Sequence, residues 1–256
     1  MTEVVPGRRI DVMMVVGGKY HDFDFARLEL LKLLAEHDEF RVRVQPDYED
    51  MSVLDEAAVM VSYTCDVRPS VGAQKHIRSW VEAGGRWVAL HGTNAALGDA
   101  SVRPIATPRV FPLWADTLGS QFIAHPPIQP YRVDITSPDH WLVAGFDPFE
   151  ATDELYLSEY PDPPALTTLL HTAWRGTAGG FVDNDWTGGD GRHPVVYLRP
   201  LGDGAVLYNT LGHCRGHYDM VPVKDYYPNV DRCSWELPVF YELLRRSLRW
   251  ARGESS

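Results

Sequence analysis

The chain of 256 residues carries 35 acidic and 24 basic side chains, which gives it a net charge of −11. An acidic protein without a cluster of Lys and Arg is not expected to bind nucleic acid or an anionic membrane surface. No apolar run reaches the roughly 18 residues that a membrane span needs, and residues 1–10 lack the apolar core of a signal peptide. Three cysteines without a C-x-x-C pair indicate a reducing compartment, so we expect a cytoplasmic protein.

The first half of the chain alternates apolar strands with helices. Predicted strands cover residues 10–16, 40–44, 57–63 and 87–90. The first helix is expected to begin at Asp22 or Asp24, and the helix that Pro69 opens is expected to end at Gly84. The residues that we expect the first helix to bury are Phe25, Leu28, Leu31 and Ala35. This alternation predicts a parallel sheet with helices on both faces, and such sheets bind ligands beyond the C-terminal ends of their strands.

The second half of the chain differs in composition and has a weaker periodicity. Between about residues 98 and 190 prolines and aromatics crowd together, only 131–136 and 166–173 look like strands, and 176–191 is loop-like. We interpret 98–190 as an elaboration over the C-terminal edge of the sheet, within one domain of residues 1–256. A hairpin of 195–198 and 205–208 follows, and the last helix carries Leu237, Phe240, Leu244, Leu248 and Ala251 at helical spacing.

His91 is the most informative of the ten histidines. It follows the strand of residues 87–90 and precedes Gly92 and Thr93, a pattern that resembles the nucleophile elbow, which lifts one side chain to the edge of a sheet. An imidazole in that position can act as a base, a metal ligand or a hydrogen-bond donor. The alternative is a histidine that only bonds neighbouring loops. His37 and His76, by contrast, are expected to be exposed on helices.

Other polar residues fall at predicted strand ends or in loops. His21 follows Gly17 and Gly18, whose backbone could approach a ligand, although the G-x-G-x-x-G nucleotide pattern is absent. Glu154 is either a general acid or base or an ordinary surface carboxylate. Cys214 is either functional or a packed small residue, and the aromatic side chains could stack on a sugar or belong to the core. A metal centre could draw its ligands from His91, His125, His213, His217 and either Asp153 or Glu154, but no spacing is specific for one.

Segments spread over almost the whole chain resemble the ThuA-like family, which is named for trehalose utilisation and has the class I glutamine amidotransferase-like fold. The matching segments are residues 17–21, 84–92, 118–126, 139–146, 153–156, 194–204, 210–213 and 249–251. The resemblance implies a flavodoxin-like α/β fold, with a parallel sheet, helices on both faces and an elaborated second half.

The resemblance also implies a function in carbohydrate catabolism. Such proteins are associated with the breakdown of disaccharides through 3-keto sugars made by a partner dehydrogenase, so an oxidised sugar or glycoside is the expected ligand. His91 stands where class I glutamine amidotransferases carry their nucleophilic cysteine. Glutaminase activity is therefore not expected, because its covalent thioester requires a thiolate.

We therefore expect an enzyme with a histidine-rich pocket. The residues expected to be catalytic are His91, Glu154 and His213. Those expected to bind substrate are Gly17, Gly18, His21, Gly92, Thr93, His125 and Tyr156. A non-catalytic sugar-binding or regulatory protein and a metal-dependent hydrolase are the alternatives. The sequence requires no cofactor, is compatible with a divalent metal and with an oligomer, and assigns no role to the 220–233 loop.

Overall fold

A computed structural model describes residues 9–220 and 223–255. The first half has the predicted alternation, with every predicted strand present. Its elements are β1 Ile10–Gly18, α1 Phe23–Leu34, β2 Phe40–Gln45, α2 Ser52–Glu56, β3 Val59–Cys65, α3 Val71–Glu82 and β4 Arg86–Leu90, followed by a 3-10 helix, His91–Asn94. The short helix α2 was not predicted.

The second half contains more regular structure than the sequence pattern indicates. Its elements are α4 Pro112–Leu118, β5 Gln121–Ala124, β6 Gln129–Ile135, β7 Phe149–Asp153, β8 Leu157–Glu159, β9 Thr167–Ala173, β10 Arg192–Leu201, β11 Gly204–Asn209 and α5 Pro238–Ala251, with 3-10 helices at Pro163–Ala165 and Cys233–Glu236. The strands β6 and β9 and the hairpin of β10 and β11 correspond to predictions. The helix α4 and the strands β5, β7 and β8 are short elements without a clear period, and the sequence analysis missed them.

A nine-stranded sheet organises the fold, in the order β2-β1-β3-β4-β11-β10-β9-β6-β7. The strands from β2 to β11 in this order are mutually parallel, which is the flavodoxin-like arrangement. From β10 to β7 the pairing is antiparallel, so residues 98–190 extend the sheet sideways as well as covering one edge. The strands β5 and β8 form a separate antiparallel pair.

Helices cover both faces of the sheet, as predicted. The apolar side chains of α1 and α5 join one core with alternate residues of β1, including Val12 and Met14. The apolar side chains of α2, α3 and α4 join a second core with Met13 and Val15, which alternate with Val12 and Met14 along β1. Alternate residues of a strand point to opposite faces, so an unbroken apolar β1 is what a strand between two cores requires. Among the described residues, every helix is too short or too polar to cross a lipid bilayer.

The buried face of α1 differs from the prediction. Asp22 caps the helix, its side chain accepting the backbone N–H of Phe25 at 3.0 Å, but Leu28 is 53% exposed. The residues that are buried are Ala26, Leu30, Leu33 and Leu34. Two leucine-containing stripes run along this helix at equally good helical spacing, and contact with the sheet selects one of them.

One of the two peripheral histidines differs from the prediction. His37 lies after the C-terminal end of α1 rather than within a helix, and its side chain is partly buried. His76 does lie on α3, where its Nε2 is 2.7 Å from a carboxylate oxygen of Asp55. Neither residue approaches the C-terminal edge of the sheet, so they belong to the periphery of the fold.

Candidate functional site

Three histidines meet at the C-terminal edge of the parallel strands. His21 follows β1, His91 follows β4 and His213 lies four residues after the end of β11. The ring centroid of His21 is 4.9 Å from that of His91 and 4.9 Å from that of His213. Residues far apart in sequence thus converge because their strands end at the same edge.

The turn at His91 has the geometry expected of an elbow. Its φ of 44° lies in the left-handed region, which a non-glycine residue adopts only when its surroundings impose it. Gly92 is required next to it, since a Cβ there would lie 2.7 Å from the carbonyl oxygen of Thr64. The hydroxyl of Tyr208 donates to the His91 carbonyl, and the imidazole Nδ1 lies 2.8 Å from the carbonyl oxygen of Thr210. The ring is therefore held by the backbone at the base of the site.

Backbone carbonyls also orient two further imidazoles. The Nδ1 of His21 lies 3.0 Å from the Lys19 carbonyl oxygen, and that of His125 lies 2.8 Å from the Pro126 carbonyl oxygen. A carbonyl can only accept, so Nδ1 carries the proton in both rings and in His91. In a neutral ring with this tautomer, Nε2 is the nitrogen that carries the lone pair.

Glu154 lies at the centre of these rings. Its Oε2 is 3.2 Å from Nδ1 of His213 and 3.5 Å from Nε2 of His91, while its Oε1 is 3.6 Å from Nε2 of His125. The hydroxyl of Tyr156 completes the group, 3.1 Å from the same His91 nitrogen. One carboxylate therefore contacts three imidazoles, and its two oxygens face different partners.

Burial and mutual proximity control protonation here. Burial alone would raise the pKa of Glu154, but the nearby imidazoles of His125 and His213 reverse this and hold that pKa well below its usual range. Burial lowers the pKa of His21 well below its usual value, and repulsion from protonated His213 or His91 lowers it further. The site therefore favours an ionised carboxylate beside a neutral His21.

Asp153, the residue before Glu154, has a structural role: it holds the His213 loop. Its buried carboxylate accepts the backbone N–H groups of Gly212 at 2.9 Å and of His213 at 3.1 Å. It also accepts the backbone N–H and the hydroxyl of Ser234 and the N–H of Glu154. These bonds tie the His213 loop and the start of the final helical region to the end of β7. The sequence analysis treated Asp153 as an alternative metal ligand, but its oxygens are used by these donors.

A cavity of about 620 Å³ opens above the histidines. The predicted residues that line it are His21, His125, Glu154, Tyr156 and His213. His91 lies directly beneath, fully buried against Tyr156 and Glu154. The predicted binding residues Gly17, Gly18, Gly92 and Thr93 do not line this cavity. The glycines pack against neighbouring backbone, and the Thr93 hydroxyl donates to the carbonyl of Leu90.

Several wall residues were not identified from the sequence. Ile105 and Phe181 form one apolar side, and an isolated β-bridge joins them. Opposite lie Arg215, Tyr227 and other residues of the loop that follows His213. Of the 220–233 loop, residues 221 and 222 lie outside the described part of the chain. His217 is turned towards the Tyr227 carbonyl and does not join the other histidines.

The cysteines of the site are unsuited to nucleophilic catalysis. Cys65 lines the cavity, and burial raises its pKa well above the usual range. Burial also raises the pKa of Cys214 to about 12, and its sulfur packs 3.2 Å from the hydroxyl of Tyr63. Both residues are therefore thiols near neutral pH, and the elbow itself carries His91, so the geometry offers no thiolate for glutaminase chemistry.

The site also contains the side chains that a metal ion requires. One ligand atom from each of His21, His91, Glu154 and His213 lies within 4.8 Å of the others. This set differs from the candidate set of the sequence analysis, because it includes His21 and excludes both His217 and Asp153. His125 stands next to the set, in contact with the outer oxygen of Glu154.

Two solved structures share this fold over nearly their whole length. A ThuA-like protein from Bacteroides uniformis superimposes with a TM-score of 0.68 at 17% identity, covering 100% of this chain and 96% of that one. A ThuA-like protein from Parabacteroides merdae gives a TM-score of 0.67 at 16% identity, covering 97% and 92%. Identities this low establish similarity of fold alone.

Part of a larger enzyme has a related fold. A β-galactosidase from Rahnella sp. R3 gives a TM-score of 0.55 at 14% identity, and the similarity spans 96% of this chain but 31% of that one. No curated protein matches the sequence. The family model described as ThuA, trehalose utilisation, matches residues 11–227, and with that match over most of its length the chain belongs to the ThuA family, a family associated with carbohydrate metabolism.

Proposed function

We propose that this protein is an enzyme that moves a proton on an oxidised sugar, such as a 3-keto glycoside, in the cavity above Glu154. The observation that carries the proposal is a buried carboxylate, 8% exposed, with imidazoles on both of its oxygens at the base of a cavity. Perturbed titratable groups concentrated in one cavity are typical of active sites. The membership in a trehalose-utilisation family supplies the substrate class.

The cavity suits a small polar ligand that needs apolar contact on its ring faces. Phe122, Phe181 and Tyr227 contribute aromatic surface to the walls, and the lining also offers polar groups that include His125, Glu154 and Arg215. Sugars have apolar ring faces edged by hydroxyl groups, so a ring could pack against the walls while its oxygens contact the base. A volume of about 620 Å³ falls within the range of small-molecule sites.

His125 is the group best placed to accept the proton. Its side chain is 25% exposed to the cavity, and because its Nδ1 donates to the Pro126 carbonyl, the basic nitrogen of the neutral ring is Nε2. Once it takes a proton, the resulting imidazolium faces Oε1 of Glu154, which stabilises the charge. Glu154 therefore acts with His125, while His91 and His213 face the other oxygen.

The chemistry needs no covalent intermediate. A C–H bond beside a ketone is acidic, and its loss to His125 leaves an enolate, whose negative oxygen the cationic side chains lining the cavity, Arg103 and Arg215, would stabilise. The enolate then has two outcomes. It can take the proton from His125 at the former carbonyl carbon, while the hydroxyl proton on the neighbouring carbon passes to the enolate oxygen and that carbon becomes the new ketone, which isomerises the sugar. Alternatively, it expels an oxygen substituent one carbon further on. In the second case the proton leaves with that oxygen, so atoms and charges balance.

Turnover of 3-keto disaccharides by wild-type protein and by His125→Asn tests the proposal. We expect the variant to lose activity by roughly 100-fold or more, as when a general base is removed, while still binding the sugar. The control is His76→Gln, on the distant helix α3, which should leave turnover unchanged. Sugar binding without turnover of any 3-keto disaccharide by the folded wild type would instead favour a non-catalytic sugar-binding protein.

A further inference from the structure

We propose that His21, His91, His213 and Glu154 together bind one divalent transition-metal ion, with Zn²⁺ as the best match. The four side chains are buried, and one ligand atom of each lies within 4.8 Å of the others. Three imidazole nitrogens and one carboxylate oxygen suit zinc and its neighbours in the first transition row. Magnesium and calcium, which prefer oxygen ligands, do not fit this set.

The distances between these atoms match the edges of a coordination polyhedron. A tetrahedral zinc ion with bonds of about 2.0–2.1 Å holds its ligand atoms about 3.3–3.4 Å apart. Oε2 of Glu154 lies 3.2 Å from Nδ1 of His213 and 3.5 Å from Nε2 of His91. Small side-chain movements therefore suffice to close the remaining separations around an ion.

Two of the three imidazoles that would bind the ion, His21 and His213, have inward nitrogens without a partner among the described residues outside the proposed ligand set, whereas Nε2 of His91 also contacts the Tyr156 hydroxyl at 3.1 Å. Within the described part of the chain, Nε2 of His21 and Nε2 of His213 are buried and make no hydrogen bond, and Nδ1 of His213 has only the Glu154 oxygen at 3.2 Å beside it. The two side chains are 5% and 1% exposed, so solvent does not replace the missing partners. Buried polar atoms are nearly always satisfied, and a cation in the centre would pair with Nε2 of His21 and with one ring nitrogen of His213.

Neighbouring groups orient the ligands in the manner typical of metal sites. A metal-binding histidine commonly donates its second N–H to a carbonyl or carboxylate, which fixes the tautomer and the ring. His21 does so to the Lys19 carbonyl and His91 to the Thr210 carbonyl. The backbone of His213 is fixed by Asp153. These bonds aim the lone pairs of His21 and His91 inwards before any ion is present.

The alternative is an ordinary ion pair between Glu154 and a protonated His213. One such pair would occupy Oε2 of Glu154 but would leave the inward nitrogen of His21 without a partner. A bound cation would also pair with the inward nitrogen of His21, so the geometry favours a cation over the ion pair alone.

An ion in this position would be accessible to a ligand. Three of the four residues line the cavity, so the ion would lie at its base. With four protein ligands in place, a substrate oxygen would bind as a fifth ligand, an expansion that zinc allows in catalytic sites. Such an ion polarises a carbonyl oxygen when a ketone binds, which would assist the proton transfer assigned to His125. The cation site rests on the four side chains and not on the proposed sugar chemistry.

Metal binding by tag-free protein tests the site. The protein is stripped with a chelator and titrated with Zn²⁺, and the metal content after gel filtration is measured. We expect one ion per chain in wild type, and affinity at least about 100-fold lower in His21→Ala and in Glu154→Gln. His193→Gln and His217→Gln, which change histidines outside the set, should bind as wild type does.

Cobalt substitution gives a second readout that does not depend on activity. Co²⁺ in a low-symmetry nitrogen and oxygen site absorbs in the visible region, and this spectrum should be absent in His21→Ala, while circular dichroism confirms that the variant is folded. Folded wild type that retains no ion, or ligand variants that bind as tightly as wild type, would overturn the cation site. Turnover by wild type that binds no metal would overturn this inference alone, whereas stoichiometric metal without turnover would count against the proposed enzyme alone.

Discussion

Replacing Asp153 by Asn should destabilise the protein by about 3 kcal/mol. The buried carboxylate accepts five hydrogen bonds, with the N–H groups of Glu154 and His213 on Oδ1 and three donors from Gly212 and Ser234 on Oδ2. An amide nitrogen cannot accept, so either orientation of Asn leaves at least two buried donors without an acceptor. Each unpaired buried donor costs about 1–3 kcal/mol, and relaxation of the surrounding structure keeps the total for two donors at about 3 kcal/mol.

Urea denaturation measures the change in the free energy of unfolding directly. In a chain of this length about 3 kcal/mol corresponds to a fall in Tm of about 6–12 °C. Ser234→Ala removes one donor and should cost about 1 kcal/mol, and Asp139→Asn, at an exposed position, should change stability by less than about 0.5 kcal/mol. If Asp153→Asn were as stable as wild type, the conclusion that Asp153 anchors the His213 loop would be wrong.

Three further changes probe the strand ends and the periphery. Gly92→Ala would place a Cβ 2.7 Å from a backbone oxygen and should cost about 1–3 kcal/mol in urea denaturation, while Gly179→Ala, which meets no atom within 4 Å, should cost almost nothing. Tyr63→Phe removes the donor to the Gly212 carbonyl and should lower the unfolding free energy by about 1 kcal/mol; no change would mean that the bond contributes nothing. Burial lowers the pKa of His193, so below about pH 6.5 only the unfolded state takes up the proton, and stability should fall with pH until the lowered pKa is passed. His193→Gln should make denaturation midpoints less sensitive to pH in that window. An unchanged pH dependence of the midpoints in His193→Gln would refute this assignment to His193.

Much of the site's location follows from the sequence, because it depends on where parallel strands end. The apolar runs before Gly17, Tyr63 and His91 identify three adjacent strands, and their C-terminal ends must share an edge. His21 and His91 were therefore expected at one place, and the structure brings them together with His213. Their catalytic or binding roles remain predictions.

The roles of Asp153 and Glu154 could not be separated from the sequence. Adjacent residues at the end of a strand point in different directions, but the direction of each depends on the register of β7, a strand without a recognisable pattern. Asp153 points beneath the His213 loop, and Glu154 points into the cavity.

The cavity walls were unpredictable for a related reason. Ile105 and Phe181 meet through an isolated bridge between two irregular segments that are far apart in sequence. Neither segment has a helical or strand period, so local pattern carried no information about their contact. Tertiary packing alone positions these residues, just as it selects the buried face of α1.

Exchange of a sugar proton with solvent tests directly whether the cavity above Glu154 carries out proton transfer. Wild-type protein is incubated with a 3-keto disaccharide in D₂O, and deuterium at the carbon beside the ketone is followed by NMR. We expect enzyme-dependent incorporation of deuterium at that carbon, reduced about 100-fold or more in His125→Asn. Unchanged incorporation in His125→Asn, or none above the buffer rate with folded wild type, would contradict the assignment of proton transfer to this site.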